Sequence, residues 1–351
     1  MPQSFRAIVV SKKDDKFDID IKDRTIDQLP DGDLLIRVEF SSLNYKDALS
    51  ATGAKGVTKV YPHTPGIDAA GIVEQSNNER FPIGSSVIVT GFDLGMDTSG
   101  GFSEYIRVPS QWAVKCSSDF STKEAMMLGT AGMTAGLAIL SIADKLPLDK
   151  SKAVVSGATG GVGSIGVKLL SQLGADVTAI TGKMDKKSWL KELGASKVLD
   201  RKRFIDSTNH PLNKGKYDIA LDVVGGRVLS SIIACMNYDG IITTCGNVGG
   251  PKFETSVFPF ILRGNSLIGI DSAACSIEKK KMIWENFSSK WRLNGLEKNS
   301  KIVSLKNMIP EIDEILNNCN YSEDFMRTAN DLQILNAING CYEEYKVLQK
   351  N

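Results

Sequence analysis

This sequence of 351 residues has few histidines and no closely spaced pair of cysteines. It holds two histidines, His63 and His210, and six cysteines that lie far apart without a Cys-x-x-Cys pair. This distribution is typical of buried, reduced thiols, and it excludes a disulfide framework or a zinc ribbon. Neither histidine has a second ligand at a useful spacing, so we expect no metal site.

The sequence also lacks an excess of charge of either sign, and we expect no long apolar run. The 42 Lys and Arg residues balance 41 Asp and Glu residues, so no overall field would hold nucleic acid or an anionic membrane. We expect no apolar run near the roughly 18 residues of a membrane span, and the first residues lack the apolar core of a signal peptide. We therefore expect a cytoplasmic enzyme without nucleic-acid or membrane partners.

Two kinds of hydrophobic pattern divide the chain. In residues 1–125, short β-branched runs such as 34–40 and 86–90 are separated by turn residues, which predicts a strand-rich domain. In residues 126–271, β runs alternate with helix-length apolar periodicity, which predicts parallel βαβ units. We expect residues 272–318 to return to the first domain, and residues 319–351 are left unassigned.

A glycine-rich loop follows the first strand of the second region. It runs through Thr159, Gly160, Gly161, Val162 and Gly163 into a helical pattern. The glycines permit a tight turn and a close approach of main chain to a pyrophosphate, and the helix start attracts the anion. This sequence of strand, loop and helix predicts a dinucleotide-binding Rossmann domain.

The end of the next strand predicts which dinucleotide is bound. An NAD enzyme places Asp or Glu at this point, against the ribose hydroxyls. This chain has Thr181, Gly182 and Lys183 instead, and Arg201 follows the third strand. A hydroxyl and two cations favour the 2′-phosphate, so we predict NADPH as the cofactor.

Four short motifs resemble one family. They are Ser-Ser-Leu-Asn-Tyr-Lys-Asp-Ala-Leu at 41–49, Pro-Gly-Ile-Asp-Ala-Ala-Gly at 65–71, Gly-Thr-Ala-Gly-Met-Thr-Ala at 129–135 and Phe-Pro-Phe-Ile-Leu-Arg at 258–263. From about residue 5 to about residue 318, the chain resembles the zinc-free quinone oxidoreductase-like branch of the medium-chain dehydrogenase/reductase superfamily, and within it the acrylyl-CoA reductases. Zinc-dependent members have a Gly-His-Glu element, and Ile67 occupies the position of its histidine here.

The resemblance implies a fold and a set of site residues. The fold is a doubly wound parallel sheet joined to a β-rich GroES-like substrate domain. Asn44, Tyr45 and Asp47 are placed in the catalytic cleft, with Tyr45 touching the cofactor. Tyr45 is either a proton donor or a packing residue, and Asp47 either orients Tyr45 or caps a helix that begins there. Further cofactor contacts are implied for Asn247, Ile261, Ser272 and Asn318.

The reaction implied by the resemblance is NADPH-dependent reduction of an activated carbon–carbon double bond, with acrylyl-CoA converted to propanoyl-CoA. Without a metal, such a site aligns the reactants and offers hydrogen bonds to the developing enolate. Two alternatives stay open, a quinone or enone reductase of the same fold and a non-catalytic NADPH-binding protein. We also expect a homodimer that pairs the last sheet strands around residues 267–270.

Overall fold

The computed structural model describes residues 4–14, 16–54 and 56–319, and the side chains of 317–319 are not described. These residues form two compact units. Unit 1 holds the described residues up to Thr130, Ala273–Ser288 and those from Asn294 onward, and unit 2 holds Ala131–Ser272 and Ser289–Leu293. Residues 320–351, which make up nearly all of the unassigned tail, lie outside the described part of the chain.

Unit 1 is built mainly from antiparallel strands. A two-stranded sheet pairs β1 (Ser4–Lys13) with β2 (Lys16–Thr25). A five-stranded sheet has the order β6-β3-β4-β5-β7 and consists of β3 (Leu34–Phe40), β4 (Asp68–Ser76), β5 (Ser86–Thr90), β6 (Tyr105–Val108) and β7 (Ala113–Lys115). Alternate residues of β3 and β5 are buried in its core, as the period of a strand requires. The predicted strands at 34–40 and 86–90 are confirmed.

Two helices precede the second sheet. The short helix α1 (Tyr45–Ala51) follows β3, and α2 (Thr122–Ala143) carries the chain from unit 1 into unit 2. Gly129 interrupts α2 with φ 50° and ψ −151°. By length and composition α2 is apolar enough to span a membrane, so the expectation that no apolar run approaches that length was wrong. Most of this apolar stretch is buried within the protein, as it is in the core helices that pass the same test.

Unit 2 contains a six-stranded parallel sheet with the order β10-β9-β8-β11-β12-β13. Its strands are β8 (Lys152–Val155), β9 (Asp176–Thr181), β10 (Lys197–Asp200), β11 (Tyr217–Asp222), β12 (Met236–Thr244) and β13 (Ser266–Gly269). Counted from β8, this is the 3-2-1-4-5-6 order of a doubly wound nucleotide-binding sheet. The predicted Rossmann sheet is confirmed, and its strand order reverses between β8 and β11.

Helices connect these strands. They are α3 (Gly161–Gln172), α4 (Lys187–Glu192), α5 (Arg201–Asp206), α6 (Gly226–Ala234) and α7 (Phe258–Arg263). On α6, Val228 and Ile232, one helical turn apart, are buried in a cluster with Val154 of β8 and Ile242 of β12. Burial of each such side chain stabilises the unit by about 1.5–3 kcal/mol, which fixes the strand ends where the loops begin.

The chain ends its described part with two helices of unit 1. In α8 (Ile277–Ser288), Trp284 lies against Phe120 with ring centroids 6.2 Å apart. In α9 (Met308–Cys319), Ile312 is fully buried in a cluster with Ala48 and Ala51 of α1. This packing fixes the buried side of α1, the helix that carries the predicted catalytic residues.

Candidate active site

The glycine loop lies between β8 and the start of α3, at the carboxyl edge of the parallel sheet. At Gly163, an added Cβ would lie 2.3 Å from the carbonyl oxygen of Gly157, whereas at Gly160 the nearest atom would be 3.4 Å away. No side chain caps α3, and the first N–H groups of a helix lack partners within that helix. The predicted residues Gly160, Gly161, Val162 and Gly163 therefore form a bare helix start, which is an anion-binding geometry.

The residues predicted to bind a 2′-phosphate come together after β9 and β10. Thr181 ends β9, its hydroxyl oxygen lies 3.2 Å from that of Thr159, and it accepts a 2.9 Å hydrogen bond from the main-chain N–H of Lys183. Arg201 opens α5, and its Nη2 lies 3.2 Å from the position that a Cβ would take on Gly182. Because Gly182 has no side chain, the guanidinium fits beside Gly182, which lies between Thr181 and Lys183 in the chain. This arrangement suits a phosphate group.

A buried carboxylate that no sequence motif marks joins three strand ends in unit 2. Asp222 is 0% exposed and accepts hydrogen bonds from the Ser156 hydroxyl (2.6 Å), the Thr244 hydroxyl (3.0 Å) and the Gly225 N–H (2.9 Å). Burial raises the pKa of Asp222, and these hydrogen bonds oppose that change. The carboxylate thus ties together the loops after β8, β11 and β12. A charged residue at the end of an apolar strand was the signal in the sequence.

Of three other predicted cofactor residues, Asn247 and Ser272 follow strands of the parallel sheet, whereas Ile261 lies on a helix. Asn247 is exposed in the loop after β12, and Ser272 follows β13, where its hydroxyl accepts a 2.7 Å hydrogen bond from that of Thr134. Both positions follow carboxyl ends of strands, where nucleotides bind in such sheets. Ile261 lies on α7 and is 69% exposed, and Arg263, which ends α7, donates to main-chain carbonyls around the start of β12. Ile261 is therefore not grouped with the carboxyl strand ends.

The three predicted catalytic residues lie at the start of α1 in unit 1. Asn44 precedes the helix, Tyr45 is its first residue with 38% exposure, and Asp47 is fully buried. The Asp47 carboxylate accepts hydrogen bonds from the N–H of Asn44 (2.7 Å) and the N–H of Ile67 (2.8 Å). The first of these bonds caps the helix, which is one of the two roles predicted for Asp47.

A second buried carboxylate, Asp68, lies near Asp47 and was also missed. The side-chain amide of Asn44 donates to both, at 2.9 Å to Asp68 and 3.2 Å to Asp47. Burial, and next the charge of Asp68, raise the pKa of Asp47 to about 7, while its hydrogen bonds act in the opposite direction. In the sequence, Asp68 stood out only as a charged residue within the apolar and small residues 65–71.

The remaining predictions concern a late asparagine and a metal. Asn318 lies in the last turn of α9, and its side chain is outside the described residues. Within residues 4–14, 16–54 and 56–319, no group of three or more His, Cys, Asp or Glu side chains is placed to hold a metal ion. His63 is buried, and its Nε2 lies 2.9 Å from the carbonyl oxygen of Gly95.

The chain combines an antiparallel unit with a parallel sheet of order 3-2-1-4-5-6 that carries a glycine loop. This combination defines the class of medium-chain dehydrogenases and reductases. Two family models match accordingly. Residues 30–118 match the alcohol dehydrogenase GroES-like domain, and residues 161–288 match the model described as zinc-binding dehydrogenase. The predicted GroES-like domain is confirmed.

Similar proteins narrow this class. A putative quinone oxidoreductase, YhfP of Bacillus subtilis, is 41% identical over 82% of this chain and 88% of its own, and its crystal structure has NAD bound (TM-score 0.87). A probable acrylyl-CoA reductase, AcuI of Escherichia coli, is 38% identical over 89% of this chain and 96% of its own. The yhdH oxidoreductase of Salmonella enterica, crystallised with NADP, superposes with a TM-score of 0.85 at 37% identity, over 90% of this chain and 97% of that chain. The chain therefore belongs to the zinc-free quinone oxidoreductase-like branch of the medium-chain superfamily, near the acrylyl-CoA reductases.

Proposed function

We propose that this protein is an NADPH-dependent reductase of carbon–carbon double bonds conjugated to a carbonyl, with acrylyl-CoA as substrate and propanoyl-CoA as product. The observation that carries the proposal is the grouping of Thr181, Lys183 and Arg201 after β9 and β10. The similarity to AcuI over 89% of the chain supports the choice of substrate.

The residues of unit 2 fit NADPH. The bare start of α3 at Gly160 would hold the pyrophosphate, and Lys183 and Arg201 would hold the 2′-phosphate. Asn247 and Ser272, at carboxyl ends of neighbouring strands, would line the rest of the dinucleotide. Bound NADPH would supply the hydride that adds to the β carbon of the alkene.

The chain itself must supply alignment and a proton. Addition of a hydride to the β carbon leaves negative charge on the thioester enolate, and a proton then adds to the α carbon, so that acrylyl-CoA, NADPH and H⁺ give propanoyl-CoA and NADP⁺. Tyr45 is our candidate proton donor, because its side chain is partly exposed at the start of α1. Asn44 precedes Tyr45 in the chain. Its amide orientation is fixed, because its NH₂ group donates to two carboxylates.

A second substrate class has support from one observation. The 41% identity to a putative quinone oxidoreductase favours a quinone or a free enone in place of the acyl-CoA. The chemistry differs little, because each of these acceptors stores charge on an oxygen that is conjugated to the site of hydride addition.

The test follows NADPH consumption by the purified protein with acrylyl-CoA, a small quinone and a free enone, each repeated with NADH. We expect fast turnover of acrylyl-CoA with NADPH, and a loss of kcat in Tyr45→Phe with little change in NADPH affinity. Preference for the quinone or the enone would replace the substrate assignment. Binding of NADPH without turnover of any acceptor would favour the non-catalytic alternative.

We also propose that the protein is a homodimer. Among the described strands, β13 forms one edge of the parallel sheet, and the exposed apolar residues Val257, Phe258 and Leu262 lie on or next to the preceding helix. An open edge is a template for pairing with a second copy. Light scattering should give the mass of two chains, and the mass of one chain would refute the proposal.

A further inference from the structure

Asp68, the first residue of β4, is held by three residues from two separate segments of unit 1. Its Oδ1 accepts the Thr130 hydroxyl (2.6 Å), and its Oδ2 accepts the Thr130 N–H (2.8 Å), the Ser42 hydroxyl (2.5 Å) and the Asn44 side-chain amide (2.9 Å). The carboxylate is 0% exposed. A buried carboxylate needs such donors to offset lost hydration, so its position and theirs are fixed together.

The main chain at Gly129 is shaped around this carboxylate. With φ 50° and ψ −151°, Gly129 breaks α2, and an added Cβ would lie 2.2 Å from the Ser42 hydroxyl oxygen and 2.8 Å from Oδ2 of Asp68. The break frees the N–H of Thr130 from the preceding helix and directs it to Asp68. A carboxylate distant in sequence therefore caps the second half of α2.

Asn44 is oriented by the same carboxylate. Its NH₂ group donates to Oδ2 of Asp68 at 2.9 Å and to Oδ2 of Asp47 at 3.2 Å. Because both neighbours are carboxylates, only the NH₂ side of the amide can face them. The side-chain carbonyl of Asn44 is thereby turned away from both carboxylates and toward the main chain of Asp47 at the start of α1.

The carboxylate both satisfies and orients its donors. An apolar residue at this position would leave four donor groups without their acceptor, at about 1–3 kcal/mol for each one that stays buried and unpaired. The carboxylate also holds Asn44 and Thr130 in a single arrangement, because the four hydrogen bonds that it accepts are directional. Being fully buried, Asp68 cannot itself touch a substrate.

We propose that Asp68 is a positioning residue of the reductase, which holds Asn44 and the Gly129–Thr130 main chain in the arrangement that the reaction requires. This inference rests on the proposed function. It assigns a role to a residue that lies outside the predicted catalytic set of Asn44, Tyr45 and Asp47.

The decisive variant is Asp68→Asn, which keeps the volume of the side chain. Three donors bond Oδ2 and the Thr130 hydroxyl bonds Oδ1, so the uncharged amide replaces at least one of these acceptor oxygens by an NH₂ group and weakens the charge-assisted bonds that remain. We expect kcat to fall about 100-fold, as for a small misplacement of catalytic groups, while the affinity for NADPH in the absence of substrate is retained. Glu74→Gln is the matched control, because Glu74 also lies on β4 but its carboxylate pairs with Arg37 on the surface. We expect the control to keep the kcat of the wild type.

Ser42→Ala is the second variant, in case Asp68→Asn fails to fold. It removes one donor and leaves three, and we expect a smaller fall in kcat with an unchanged KM for NADPH. If the wild type turns over and both folded variants keep its kcat, the positioning role of Asp68 is refuted while the proposed function stands. If the wild type turns over none of the acceptors, the proposed function fails and this inference fails with it.

Discussion

Gly163 lies so close to Gly157 that a Cβ on Gly163 would stand 2.3 Å from the carbonyl oxygen of Gly157, whereas a Cβ on Gly160, between them, would have 3.4 Å to the nearest atom. Gly163 and Gly160 therefore serve different purposes. Gly163 is needed because the first turn of α3 packs directly against the main chain of Gly157, while Gly160 has room for a side chain in the loop. If the space at Gly160 belongs to a phosphate, a methyl group there obstructs the ligand and not the fold.

Gly160→Ala should consequently separate stability from binding. The backbone at Gly160 has φ −85° and ψ 170°, which any residue adopts, so we expect a Tm equal to that of the wild type. We expect the Kd for NADPH, measured by fluorescence titration, to rise at least about tenfold, equivalent to about 1.4 kcal/mol. Gly163→Ala is the contrasting variant, with a lower Tm. Normal NADPH affinity in Gly160→Ala would place the pyrophosphate elsewhere.

Loss of the two cations after β9 and β10 should change the choice of cofactor. In Lys183→Glu combined with Arg201→Ala, we expect the KM for NADPH to rise roughly 10- to 100-fold, because a hydrogen bond to a charged group contributes about 1.5–3 kcal/mol. The KM for NADH should change little, since NADH lacks the 2′-phosphate.

The controls for this double variant are Lys197→Glu and Arg203→Ala. Lys197 is exposed at the amino end of β10, at the opposite edge of the sheet, and Arg203 is exposed on α5, two residues after Arg201. Both single variants should keep the wild-type ratio of the NADPH and NADH constants. An equal loss in the control variants would mean that general positive charge, and not a defined phosphate site, sets the preference.

Local signals explain what the sequence could predict. A strand, a glycine loop and a helix are contiguous, so the start of α3 follows from a short stretch around Gly160. The placement of Thr181, Lys183 and Arg201 together follows from parallel strands ending at one edge. These features needed no knowledge of distant contacts.

Long-range contacts explain what the sequence could not predict. Asp68 and Thr130 are 62 residues apart, and Asp222 and Ser156 are 66 residues apart, so neither carboxylate carries a local pattern that identifies its donors. The assignment of Ile261 to the cofactor site stays a prediction. It was selected by resemblance, and its exposed position on α7 depends on how that helix packs, which a motif does not encode.

The two ends of β11 offer a matched comparison of carboxylates. Asp222, at the carboxyl end, is buried, whereas Asp218, near the amino end, is partly exposed and accepts hydrogen bonds from Lys152 N–H (2.8 Å) and the Asn237 amide (2.7 Å). In Asp222→Asn we expect a lower Tm and weaker NADPH binding, because a buried donor left without its acceptor costs about 1–3 kcal/mol at the carboxyl edge.

Asp218→Asn should lower Tm by less and leave the Kd for NADPH unchanged, because it affects only the amino edge of the sheet. Differential scanning fluorimetry and NADPH titration of both variants test this. Equal effects on NADPH binding would indicate that Asp222 supports the sheet as a whole and has no particular role in placing the loops.

Burial of Asp47 should make the stability of the protein depend on pH. Its pKa is raised from 3.8 to about 7 in the folded state, so the folded protein holds the proton more tightly than the unfolded chain does. The sign follows from linkage: this group favours folding most at low pH, and its contribution is lost as the pH rises from about 4 through about 7. One pKa unit corresponds to about 1.4 kcal/mol, so the loss is on the order of a few kcal/mol.

Asp47→Asn removes this titration, and it adds a loss of hydrogen bonding that does not depend on pH. The Tm of Asp47→Asn relative to the wild type should therefore rise between about pH 5 and about pH 8, as the wild-type carboxylate ionises in its buried site. Asp313→Asn, which removes an exposed carboxylate on α9, controls for the change in net charge and should show no such rise. A constant or falling difference for Asp47→Asn would mean that Asp47 is already ionised at about pH 5, with its three hydrogen bonds outweighing burial and the charge of Asp68.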